Sequence, residues 1–66
     1  MLTYEALLTR PEHVALAQAA YREVERAGGH VRIYPPNAAG MTLVELVLPA
    51  AIRPETILPG LPFSLV

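Results

Sequence analysis

Residues 9–48, TRPEHVALAQAAYREVERAGGHVRIYPPNAAGMTLVELVL, decide the fold: one amphipathic helix, a glycine pair, and two strand-patterned runs joined by a turn. Thr9-Arg10-Pro11-Glu12 reads as a capping box, with Thr9 as N-cap and Glu12 at the third helical position. Pro11 is tolerated in a first turn, where its missing N–H had no intrahelical partner. At helical periodicity Leu16, Ala17, Ala20, Tyr21, Val24 and Ala27 share one face with His13 and Val14. Gln18, Arg22, Glu25 and Arg26 occupy the other. Gly28-Gly29 ends the helix, one of the two adopting the left-handed conformation that glycine reaches cheaply.

Next, residues 30–34 alternate Val31 and Ile33 against His30, Arg32 and Tyr34, and residues 41–48 alternate in the same way. Between them Pro35-Pro36-Asn37-Ala38-Ala39-Gly40 forms the turn, since neither proline continues a central ladder. A hairpin of this length sets His30 opposite Val47, Arg32 opposite Glu45 and Tyr34 opposite Leu43. Upstream, residues 1–8 alternate Leu2, Tyr4, Ala6 and Leu8 with Thr3, Glu5 and Leu7, a further strand. Downstream, Pro54 opens one helical turn within residues 53–58, Pro59-Gly60-Leu61-Pro62 bends the chain, and residues 63–66 suit a short edge strand. No internal repeat or linker is visible, so residues 1–66 read as a single α+β domain.

This order of elements resembles a ferredoxin-like βαββαβ unit truncated in its second helix, which is worn down to a turn. The resemblance implies a small antiparallel sheet with one helix packed on one face and the first strand beside the third. The Arg10-Pro11 pair after the first strand, with Ala27-Gly28-Gly29 closing the helix, resembles small regulatory ligand-binding domains of the ACT type. Those place a glycine after the proline, where Glu12 stands here, so none of that family's ligand contacts is carried over.

Composition narrows the chemistry. A chain of 66 residues buries only about 60% of the surface its unfolded form exposes, so a monomer is marginal without disulfides, a metal or a partner. Cysteine is absent, and His13 and His30 are the only imidazoles, which makes disulfides impossible and a structural metal improbable. A partner is left, and 53% hydrophobic residues with a mean hydropathy of +0.37 favour one. A net charge of −1 argues against nucleic acid. All five cations are arginine and all six acids glutamate, usage that suits a GC-rich genome and a possible thermophile. The oily run from Met41 to Ile52 is too short for a membrane span, and no signal-peptide pattern opens the chain, so the expected setting is the cytoplasm.

Catalytic signals are weak. There is no lysine, aspartate or cysteine, Ser64 is the only serine, and no glycine-rich phosphate loop precedes a helix. Carboxylates paired at glycosidase or metal spacing are not evident, and no cofactor is expected. The candidates are His30, Arg32 and Tyr34 on one face of the second strand, and His13 on the helix. Arg32 would hold an anion, with the others as proton donors. The plainer reading makes Arg32 and Glu45 a cross-strand ion pair among interface residues, and His13 a core-edge residue bonded to a backbone carbonyl.

The strongest signal is a mismatch. Thr42, Val44, Leu46 and Leu48, with Val31 and Ile33, meet the single helix. The reverse face then presents Leu7, Tyr34, Met41, Leu43 and Val47, which an open sheet should not leave to solvent. The expectation is a non-enzymatic self-associating interaction or regulatory domain, most simply a homodimer, or a subunit of a larger complex. The alternative is a small isomerase- or ligand-binding-type enzyme with its site at the oligomer interface. In a monomer, the C-terminal segment would have to fold over the patch.

Overall fold

The computed structural model describes all 66 residues of the chain. Strand β1 (Leu2–Leu8) is followed by helices α1 (Pro11–Ala19) and α2 (Tyr21–Arg26), strands β2 (His30–Ile33) and β3 (Thr42–Leu48), a 3-10 turn (Pro54–Thr56) and strand β4 (Ser64–Leu65). The strands form one sheet in the order β2-β3-β1-β4, with every neighbouring pair antiparallel. The first strand lies beside the third, as expected from the element order. The hairpin register also matches the expected one: His30 pairs with Val47 and Arg32 with Glu45, and the Tyr34 N–H donates to the Leu43 carbonyl at 3.0 Å.

Side-chain alternation sorts the sheet into two faces. Ala6 and Leu8 on β1, Val31 on β2, and Thr42, Val44, Leu46 and Leu48 on β3 are buried. Ala17, Ala20 and Val24 from the helices close over them. Burying a leucine fully contributes about 1.5–3 kcal/mol, so Leu8, Leu46 and Leu48 supply much of the apolar term. Small residues on the helices let them approach the sheet closely. Leu16 and Tyr21, expected in the apolar stripe, are instead 51% and 49% exposed at its margins, because the contact runs along Ala17, Ala20 and Val24.

Two helix features differ from the sequence reading. Thr9 is not the N-cap: Arg10 is, with extended backbone and no side-chain cap bond. A residue before proline is driven out of the helical region, so Arg10 could not be the first helical residue that a Thr9 cap required. Glu12 accordingly turns to Arg10, whose Nε donates to Oε1 at 2.9 Å. The helix is also divided at Ala20, whose ψ of −1° interrupts it; nothing in the local sequence explains the break. The division leaves α1 against β1 and β2, and α2 chiefly against β2.

The glycine pair terminates α2 by donating back to its last turn. Gly28 N–H donates to the Glu25 carbonyl at 3.0 Å and Gly29 N–H to the Val24 carbonyl at 2.9 Å, with Gly28 at φ +84°. Gly29 is needed for another reason: a Cβ there would collide with the Val47 carbonyl oxygen and crowd Leu48.

Residues 49–63 do not cross the outer face. They pass along the helical side, where Pro54 and Leu58 are buried and Ile52, Ile57, Leu61 and Phe63 pack against the core. The Pro54 turn begins as α1 does. Arg53 is an extended cap, and its Nε donates to Glu55 Oε2 at 3.1 Å. The chain thus repeats an Arg-Pro-Glu device, Arg10-Pro11-Glu12 and Arg53-Pro54-Glu55, that a search for longer repeats passes over.

Candidate functional site

Because the helices and the C-terminal segment occupy one side of the sheet, the other side carries no layer. Adjacent strand partners point to the same side, so the registers arrange this face in rows across the strands. One row runs Arg32, Glu45, Glu5 and Ser64; the next runs His30, Val47 and Thr3; on the other flank Leu7 pairs with Leu43, beside Tyr34. Leu7 is 47% exposed, and Tyr34, Met41, Leu43 and Val47 are half-buried. All five expected interface residues therefore belong to this side, with Met41 just before β3 and Tyr34 just after β2.

Arg32 is exposed beside half-buried Glu45. The Tyr34 hydroxyl, and then the Glu45 carboxylate, raise the Arg32 pKa above its ordinary value, so the guanidinium stays charged. The expected Arg32–Glu45 ion pair is not closed: the pairs within 4.0 Å are Arg10–Glu12, His30–Glu25 and Arg53–Glu55. Register sets the two residues opposite each other, but the exposed, flexible Arg32 side chain gains little from fixing one contact in water.

Two relationships escaped the sequence reading. His30 Nδ1 lies 3.3 Å from Glu25 Oε2, across the turn that joins α2 to β2. Glu5 and Glu45, far apart in sequence, stand directly opposite each other on β1 and β3. The signal for the second was present in the alternation of both strands, but only their register brings the carboxylates together. No group of three or more His, Cys, Asp or Glu side chains is placed to hold a metal.

The catalytic candidates divide. His30, Arg32 and Tyr34 share the outer face, whereas His13 is half-buried in α1 on the opposite side. The His13 ring makes no side-chain hydrogen bond to a backbone carbonyl, which corrects that expectation; its backbone N–H donates to the Arg10 carbonyl at 3.0 Å. None of the four lines a cavity. The largest hollow, about 420 Å³, lies between Leu2, Tyr4, Phe63 and Leu65 and the Pro54 turn. One of about 360 Å³ lies where α1 begins, among Thr9, Arg10, Gln18 and Thr42, and a third of about 200 Å³ separates Leu16 from Leu58. No helix is long and apolar enough to cross a membrane. No protein-family model matches the chain, and comparison with curated proteins and with solved structures returns no match.

Proposed function

We propose that this chain is a truncated ferredoxin-like domain that works by association rather than catalysis, its uncovered sheet face meeting the same face of a second copy. The strand order β2-β3-β1-β4 supports the frame, with the Pro54 turn standing where such a unit carries its second helix. One observation carries the function: Leu7, Tyr34, Met41, Leu43 and Val47 crowd a side of the sheet to which the chain brings no helix and no tail. Leu7, Leu43, Tyr34 and Met41 cluster on one flank of the charged row and Val47 lies on the other; apolar surface of this kind marks an interaction site, and a two-fold contact uses the same patch twice. His30, Arg32 and Tyr34 lie on an open face rather than in a cleft, where substrates are oriented and water excluded, so they serve contact better than turnover.

Sedimentation velocity at micromolar concentration tests this. The expected species has twice the 7.2 kDa chain mass, and Leu43→Glu reduces it to single chains with the far-UV circular dichroism retained. A wild-type chain that sediments at 7.2 kDa throughout the range overturns the proposal.

A further inference from the structure

The charged row decides how two such faces can meet, an inference that rests on the self-association reading above. Arg32, Glu45 and Glu5 lie side by side across β2, β3 and β1, roughly 4.8 Å from strand to strand. A second sheet packed about 10 Å away takes this row out of water, and a buried charge left without a partner costs several kcal/mol. Only some symmetric placements supply partners.

With the two-fold axis along the strands at the middle of the sheet, between β3 and β1, Glu45 lies over the second copy's Glu5 and four carboxylates gather at the centre. With the axis across the strands, along the charged row, every charge lies over its own like. With the axis along the strands between β2 and β3, Arg32 lies over the second copy's Glu45 and Glu45 over its Arg32. Four charges then close into a neutral ring. The same operation sets Leu43 against Tyr34 and Val47 against His30, and leaves β1 beyond the overlap, with Glu5 hydrated and Leu7 at the rim of the contact. Within one chain Arg32 and Glu45 face each other without closing an ion pair, so the planar guanidinium and the carboxylate both keep capacity for a second partner.

We infer that two copies pair open face to open face, displaced toward the β2–β3 edge, with Arg32 and Glu45 exchanging ion pairs across the two-fold axis and Glu5 outside the contact. Charge-reversal sedimentation tests it, with wild type as reference and circular dichroism as the folding control. Arg32→Glu and Glu45→Arg, made separately, each weaken association by about 30-fold or more. An equimolar mixture of the two recovers a one-to-one dimer, a result that misfolded variants could not give. Glu5→Gln leaves the dissociation constant within about fivefold, the range of a hydrated rim charge. A wild-type dimer that survives Arg32→Glu unchanged, a mixture that does not recover, or a Glu5→Gln loss as large as that of Arg32→Glu overturns this geometry while leaving self-association standing. A wild type that never dimerises overturns the parent reading.

Discussion

Glu5 on β1 and Glu45 on β3 are direct cross-strand partners at the centre of the sheet, two like charges on the face that no helix covers. Directly opposed like charges destabilise a strand pair. Replacing Glu5 by glutamine is expected to raise the unfolding free energy by about 0.2–1 kcal/mol at neutral pH. Urea denaturation at low ionic strength reads the gain, which shrinks in added salt. An unchanged or lowered midpoint would mean that the two carboxylates do not repel in the folded chain.

Gly29→Ala and Gly28→Ala separate two reasons for glycine. Gly28 has φ +84° and a Cβ there would only touch the Pro49 ring at 3.8 Å, so alanine costs about 1–2 kcal/mol of backbone strain. Gly29 has ordinary φ, but a Cβ there meets the Val47 carbonyl, Leu48 and Val24 at once. Moving backbone and core together costs about 1–3 kcal/mol or more, so Gly29→Ala is expected to be the more damaging of the two. Thermal unfolding of both variants ranks them.

Asn37 organises the hairpin loop. Its Oδ1 accepts from the Ala39 N–H at 2.9 Å and the Met41 N–H at 3.0 Å, and its own N–H donates to the Met41 carbonyl at 2.8 Å. Asn37→Ala removes the two side-chain bonds and is expected to cost about 1 kcal/mol, partly offset because the freed N–H groups reach water. Asn37→Asp keeps both acceptor bonds and should behave nearly as wild type in the same denaturation assay.

Acid should loosen the two Arg-Pro-Glu devices. The hydrogen bond and charge of Arg10 hold the Glu12 carboxyl below its ordinary 4.5. At Glu55 the backbone N–H of the same residue acts first and Arg53 second, in the same direction. A carboxyl lowered in the folded state stabilises fully above its unfolded value, and that contribution is lost as pH falls through the folded one. The melting temperature should therefore decline below about pH 4.5, and decline less in an Arg10→Gln, Arg53→Gln double variant. Both pairs are exposed, so the effect is small and salt-sensitive.

Much of this architecture is legible in residues whose physics is local. Alternation in residues 42–48 separates Thr42, Val44, Leu46 and Leu48 from Leu43, Glu45 and Val47, and Gly28-Gly29 marks the end of the helical segment. The Arg10 cap was also legible, since the constraint before proline outranks the capping-box pattern of Thr9 and Glu12. The break at Ala20 was not, because alanine favours helix and carries no signal for a bend. For the candidate site, sequence shows which side chains share a face. It does not show that Glu5 meets Glu45 or that Glu25 reaches His30, because those contacts depend on the register and angle between elements.

The segment from Pro49 to Phe63 is attached differently from the rest of the molecule. Its backbone hydrogen bonds, such as Ile52 to Pro49 and Leu58 to Pro54, stay within the segment, and the chain rejoins the sheet only at β4, where Ser64 and Leu65 pair with Glu5 and Tyr4. It is held by buried side chains alone, chiefly Pro54 and Leu58. In hydrogen exchange its amides should equilibrate with deuterium through a partial opening of lower free energy than global unfolding, while those of β3 stay protected until the whole chain unfolds. The fold thus has a detachable strap on its helical side, and heating or mild denaturant will lift that strap before it disturbs the sheet.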